Sequence, residues 1–422
     1  MNLFSVFIIY TIIVAKSTQN CVKFIMLKLG EIFCGAGGFA EGASEAGFKH
    51  IWGSDNHTDS CISFEKNQKC TTYCMDAQEF TKTYFMKRLL KDHGKINGLL
   101  FGFPCNDFSL VGKNKKMDGD FGGLYKYACR ALDFFQPEFF VAENVTSLGK
   151  KLNYNTEIPL PAKDIFGKEK LENENYQNFK KIMTDLAKCS DHGYRIYADN
   201  FKFEEYGIPQ TRHRVILVGF RNDYFLKNKV SYCKPDKAEK VKTSKEALKH
   251  IPKWAKHQEL TKHDERVVRR LKKTKEGQNV WDLGDDEDGL PDVKKARMSH
   301  IYKRLDSSKP SYTVTGSGGG GTHVYHFKED RALTNRERAR LQTFPDEYEF
   351  EGGKESIRRQ IGMAVPVEGA EKIMKAVKKA LKKRNKYIPY HHDWMIKANE
   401  NELYFTGKEN LNQSSFNFEE IL

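Results

Sequence analysis

Leu27-Lys28-Leu29-Gly30-Glu31-Ile32-Phe33-Cys34-Gly35-Ala36-Gly37-Gly38-Phe39-Ala40 is the stretch on which the fold turns. Residues 27–33 read as a strand, 34–38 as a glycine turn, and 39–46 as a helix stopped by Gly47. A strand, a glycine turn and a helix make the front of a nucleotide-binding α/β unit. Glycine lets backbone approach a ligand, and the helix N-terminus offers free N–H groups. A second strand-like piece, 50–53, leads to Asp55, about twenty residues past the turn, where an acid would take ribose hydroxyls. A third piece ends at Asp76. Each acid alone would serve equally well as a loop cap.

Further along, the apolar run 96–101 reads as a fourth strand, ending in Phe103-Pro104-Cys105-Asn106-Asp107-Phe108-Ser109 and a loop rich in Gly, Lys and Asn. A cysteine just past a strand end, on a loop that can move, is well placed as a nucleophile, because the thiolate is the reactive form. A lone cysteine is more often a small buried apolar residue. Cys105 has company. A strand at 137–141 delivers Ala142-Glu143-Asn144-Val145, and strands at 194–201 and 215–220 flank Gln210-Thr211-Arg212-His213-Arg214. Helices are expected at 124–135 and 176–189, with an inserted loop over 152–175.

The 422 residues carry 70 Lys+Arg against 56 Asp+Glu, a formal charge of +14. This balance favours a polyanionic partner, nucleic acid first and an anionic membrane surface second. The nine cysteines form no paired Cys-x-x-Cys sets, which argues against both a zinc site and a disulfide framework and for a reducing compartment. Residues 3–14 are apolar like a signal-peptide core, but they lack a charged flank before them and are short for a membrane span. The functional chain is therefore expected to begin near Met26.

After Asp223 the composition turns Lys-rich. Residues 262–275 suggest a basic helix with Val267, Val268 and Leu271 as its apolar stripe, suited to phosphate contact. The run Gly316-Ser317-Gly318-Gly319-Gly320-Gly321 cannot build a core but can pass close to DNA or to recognition-domain backbone; the alternative is a linker. Thr334-Asn335-Arg336-Glu337 is a capping box opening a helix to 343, and Pro366 opens another helix that runs to 386.

Taken in order, these motifs resemble the DNA (cytosine-5)-methyltransferase family over roughly residues 27–386. The resemblance implies an α/β, Rossmann-like S-adenosylmethionine-dependent methyltransferase sheet with a smaller target-recognition domain. It divides the chain into a leader (1–25), a catalytic domain (26–222), a recognition domain (223–329), a return segment (330–386) and a tail (387–422). It implies a cofactor site of Phe33, Gly35, Gly37, Gly38, Asp55, Asn56, Asp76, Ala77 and Pro104, binding S-adenosylmethionine without a metal. Cys105 would be the nucleophile, Glu143 the acid on the base's Watson–Crick edge, and Arg212 with Arg214 the cations near the base carbonyl. Asn106, Ser109, Lys113 and Gln210 would touch DNA, and residues 111–123 would form a closing loop.

The implied substrate is cytosine flipped out of a duplex. The implied protein is an intracellular monomer without membrane association, and the resemblance allows for a cognate restriction endonuclease. Two positions depart from the family pattern: Asn106 stands for the usual Gln, and Met363 for the Asn of the last motif, Gln360-Ile361-Gly362-Met363-Ala364-Val365-Pro366. Two alternatives stay open, a tRNA cytosine methyltransferase and an inactive DNA-binding homologue. A dinucleotide oxidoreductase would explain the glycine turn and nothing after Asp76.

Overall fold

The computed structural model describes residues 26–103, 123–145, 174–283, 301–316, 320–382, 392, 394–396 and 404–405. The leader, the inserted loop over 152–173 and residues 104–122, with Pro104, Cys105, Asn106, Ser109 and Lys113, lie outside them.

Among the described residues, nine strands form one sheet. In chain order the strands are β1 (Lys28–Ile32), β2 (Lys49–Asp55), β3 (Thr71–Cys74), β4 (Gly98–Phe101), β5 (Phe139–Val145), β6 (Tyr194–Lys202), β7 (Gln210–Thr211), β8 (His213–Arg221), β9 (Ser311–Tyr312), β10 (Trp394–Ile396) and β11 (Tyr404–Phe405). The spatial order is β11-β10-β6-β8-β5-β4-β1-β2-β3, with β7 and β9 paired separately. Strands β3, β2, β1, β4 and β5 run parallel, and β8 then lies antiparallel to both β5 and β6. β10 and β11, from a tail whose sequence is uninformative, add to the far edge through Met395 opposite Tyr197.

The central strands are apolar on both faces, as parallel strands covered by helices must be. Leu99, Phe101 and Phe140 point into one core with Trp52, Leu132 and Ile182, and Leu100, Phe139 and Val141 into the other with Phe39, Ile373 and Val377. In the second core the helix Val367–Ala380 packs against the helix Gly38–Glu45. Their approach requires glycine: a Cβ on Gly38 would stand 2.5 Å from the Val365 oxygen, and one on Gly42 2.4 Å from the Val367 oxygen. The end of the chain thus completes the sheet layer that its beginning opens.

A third cluster joins the two ends. Ala36 of the glycine turn packs with Leu305, Val314, Leu341, Phe344, Tyr348 and Ile361. The capping box forms as expected: Thr334 Oγ1 accepts from Glu337 N at 3.1 Å, and the Glu337 carboxylate accepts from Thr334 N at 2.7 Å. The basic helix is present at Glu265–Lys273 and buries Leu271 in a small cluster with Val280, Ile301, Tyr302 and Tyr325. The glycine run is held at both ends. A Cβ on Gly362 would come within 2.0 Å of Gly316 N, and Tyr302 N donates to Gly321 O at 2.7 Å. Residues 317–319, the middle of the run, lie outside the described residues. Among the described residues, no helix is long and apolar enough to cross a membrane.

Candidate active site

The site lies where the chain leaves neighbouring strands in opposite directions. β1 continues toward β2 and β3, whereas β4 continues toward β5. This switch point opens a crevice beyond the carboxyl ends of β1 and β4. Phe33 (φ 57°), Gly35 (φ 52°) and Gly37 (φ 88°) turn the chain there through left-handed conformations. Cys34 N donates to Ser54 O at 3.0 Å, and Gly35 N to Asp55 Oδ2 at 2.9 Å. The other Asp55 oxygen accepts from His57 N at 2.9 Å. Asp55 therefore braces the turn, and each carboxylate oxygen keeps a lone pair for a ligand hydroxyl.

A Cβ on Gly35 would meet nothing within 4 Å, whereas one on Gly37 would stand 2.7 Å from the Tyr348 hydroxyl and 3.0 Å from Phe64. The turn is closed behind and open in front. Asn56 is exposed beside Asp55. Asp76, exposed just past the end of β3, caps the helix Ala77–Phe80 by accepting from Gln78 N at 2.7 Å; Ala77 is buried. Open space in front of Gly35 with an acid at its rim fits a nucleoside-bearing cofactor. Tyr348 was not foreseen as part of this site. Its hydroxyl donates to Ala36 O across 312 positions of sequence, and nothing local to Tyr348 signals that.

Two of the residues expected at the chemistry meet one strand over from β4. Glu143 lies on β5 and Arg214 on β8, diagonal across the pair Glu143↔Ile216 and Val145↔Arg214. Diagonal neighbours on one face are within reach of long side chains, and Arg214 Nε meets Glu143 Oε1 at 2.7 Å. Glu143 Oε2 would be 3.7 Å from a Cβ on Gly102. Asn144, 1% exposed, donates from Nδ2 to Phe103 O at 3.3 Å. The two residues that lead into Pro104-Cys105 are thereby set against the Glu143–Asn144 segment.

Arg212 and Gln210 are not brought to this pair. Arg212 is 2% exposed and donates from Nη1 to Val314 O at 3.3 Å and to Gly362 O at 3.2 Å. Gln210, expected at the DNA, is instead fully buried. It donates to Leu341 O and Gln342 Oε1 at 3.1 and 2.9 Å and accepts from Val314 N at 2.9 Å. The reason is local: β7 leaves the main sheet to pair with β9, so Gln210 and Arg212 turn into the seam while Arg214 stays on the sheet.

The described cysteines near the cofactor side make poor nucleophiles. Burial pushes the Cys34 and Cys61 thiols well up and that of Cys70 up to about 12, with nearby carboxylates adding to each shift. Under the turn, Glu31 and His50 form a buried pair at 2.9 Å, and burial raises the Glu31 carboxyl above its ordinary range. Among the described residues, no cluster of His, Cys, Asp and Glu could hold a metal ion.

The model of the C-5 cytosine-specific DNA methylase family matches residues 27–379. Type II methyltransferase M.BbvI of Brevibacillus brevis is 43% identical over 380 residues, covering 86% of this chain and 94% of that protein. Type II methyltransferase M.NgoFVII of Neisseria gonorrhoeae is 34% identical over 357 residues, covering 83% and 86%. In fold, the chain resembles a protein described as a DNA modification methyltransferase encoded within an E. coli prophage. That match has a TM-score of 0.61 and 21% identity over 84% of this chain and 99% of the other. With a family match over most of its length and a relative this similar along nearly its whole chain, the protein belongs to the C-5 cytosine-specific DNA methylase family.

Proposed function

We propose that Cys105, Glu143 and Arg214 carry the chemistry of this S-adenosylmethionine-dependent DNA (cytosine-5-)-methyltransferase. The observation that supports the assignment most is the Glu143–Arg214 pair standing beside Gly102, three residues ahead of Cys105. Carbon-5 of cytosine is a weak nucleophile in an aromatic ring. Addition of the Cys105 thiolate to carbon-6 breaks the aromaticity and makes carbon-5 enamine-like. Glu143 delivers a proton at ring nitrogen N3, so negative charge does not build there, and Arg214 stabilises the neighbouring carbonyl. A base entering between Glu143 and Arg214 exchanges their mutual contact for contacts with its own edge. Bound S-adenosylmethionine supplies the methyl group, and Gly35, Asp55, Asn56, Asp76 and Ala77 hold it. Loss of the carbon-5 proton then lets the cysteine leave.

Arg212 and Gln210 serve as positioning residues, tying the strand that carries Arg214 to the return segment. Residues 223–329 form the recognition domain in this reading, and 330–386 the return segment. The type II names of the relatives favour duplex DNA over tRNA, and a place in a restriction-modification system with a cognate endonuclease, for a monomer working inside the cell.

A duplex containing the target site with 5-fluorocytosine tests the assignment. Fluorine cannot leave as a cation, so the intermediate stays covalently joined to protein. In the presence of S-adenosylmethionine an adduct resistant to denaturing electrophoresis is expected, mapping to Cys105 and absent in Cys105→Ser. An adduct that persists in Cys105→Ser would overturn the assignment.

A further inference from the structure

Where the recognition region meets the return segment, the seam is lined with cations and short of carboxylates. Arg338, in the helix Asn335–Leu341, is 2% exposed, and its hydrogen bond among the described residues is the 3.4 Å contact of Nη2 with His323 Nδ1. Arg358, in the helix Lys354–Met363, is 9% exposed, and its Nε is buried without a hydrogen-bond partner among the described residues. Its Nη2 meets Glu355 Oε1 at 3.1 Å, but the Glu355 side chain is 84% exposed, and a pair with so solvated a partner contributes little. Lys354 donates to Leu260 O at 2.9 Å, and the rings of His263 and His323 stand 5.9 Å apart.

These groups act on one another. Burial, then the Arg358 charge, pushes the Arg338 guanidinium down to about 10, and burial followed by both arginines holds His323 down at about 4. The other groups facing the seam are Tyr312, Tyr325, Glu259 and Glu337. Glu337 is already engaged by Arg331 in two bonds of 2.7 and 2.8 Å, and Glu259 is exposed. Buried cations without a matched anion are costly, and an anion arriving from outside would offset that cost.

The seam also continues from the reaction site. Arg212 reaches Val314 and Gly362, and a Cβ on the adjoining Gly316 would come within 3.0 Å of Arg359 O, next to Arg358. We infer that this seam seats one backbone phosphate of the bound duplex, with Arg358 in contact and Arg338 behind it. The inference rests on the DNA-methylase reading, and DNA is the anion because it is the polymer held next door.

The test uses the full chain and fluorescence anisotropy with a random-sequence duplex at several salt concentrations. One lost phosphate contact makes the slope of log K against log salt shallower by about 0.9. That change is expected in Arg358→Gln and not in Arg358→Lys. Replacing phosphates one at a time by neutral methylphosphonates in a target duplex should locate one position that weakens the parent but leaves Arg358→Gln unaffected. An unchanged slope in an Arg358→Gln protein that melts like the parent would overturn the seat. So would equal methylphosphonate penalties at every position. A parent that methylates duplex DNA while giving any of these results removes the seat alone; a parent that methylates no DNA removes the reading beneath it.

Discussion

At the scale of single residues, the two ends of the motif Gln210–Arg214 carry different work. Glu143→Gln, which leaves the shape of the Arg214 contact but removes the titrating group, should slow methyl transfer by about two to four orders of magnitude. Duplex binding should change far less, and single-turnover kinetics beside a binding isotherm would show it. A rate within about tenfold of the parent would exclude Glu143 as the acid. Gln210→Ala should act otherwise. It strands Val314 N, Leu341 O and Gln342 Oε1 in the interior, at a cost of about 1–3 kcal/mol for a buried group left unsatisfied. Urea unfolding should register that loss while the folded variant keeps its DNA affinity; weakened DNA binding at parent stability would restore Gln210 to the DNA surface. The glycine turn and Asp55 were legible in the sequence because they stand at the ends of β1 and β2, whereas Glu143 lies inside β5 and Arg214 near the start of β8. The family resemblance put Gln210 at the DNA and Arg212 at the base, and the structure buries both, although strict alternation would put positions 210, 212 and 214 on one face. A two-residue ribbon with β9, about a hundred positions away, breaks that alternation, and no local pattern announces such a partner.

At the scale of elements, the helix pair Gly38–Glu45 and Val367–Ala380 fits closely enough to need its glycines. Gly42→Val should force the pair apart, since even a Cβ would sit 2.4 Å from the Val367 oxygen and 2.6 Å from Ala370 Cβ. Overpacking of this kind costs about 1–3 kcal/mol and occasionally more. Because the glycine turn feeds this helix, the variant should also lose cofactor affinity, readable by calorimetry with S-adenosylmethionine. A variant with parent stability would show that the helices slide freely. The parallel strands and this pair were readable from apolar runs and helical spacing. β10 and β11 were not, because segments of three and two residues carry no period; β10 is fixed by pairing with β6, and β11 by pairing with β10.

At the scale of the molecule, acid should open one half before the other. Burial holds His257, His263 and His323 below their ordinary 6.5, His323 at about 4. The unfolded chain then takes up protons that the folded chain refuses. Their contribution to stability is whole above about pH 6.5 and declines as pH falls toward 4. Asp346 and Glu349 are held low by hydrogen bonds from Arg340 and from Lys66 with Lys256, so their share is lost only below the ordinary carboxylate range. Hydrogen exchange at pH 7 and pH 5 should therefore show segments 257–263 and 320–326 loosening while β1, β4 and β5 stay protected. Equal protection at both pH values would contradict this. The bond between Tyr348 and Ala36 has a further consequence, for the order of synthesis. A chain emerging from the ribosome folds its early parts first, yet here the floor of the cofactor crevice waits for residues made more than three hundred positions later. Residues 223–329, the proposed recognition domain, have by then been translated. A nascent chain would therefore reach methylating competence only after its means of choosing a site exists, and chains cut short would be idle rather than indiscriminate toward the genome.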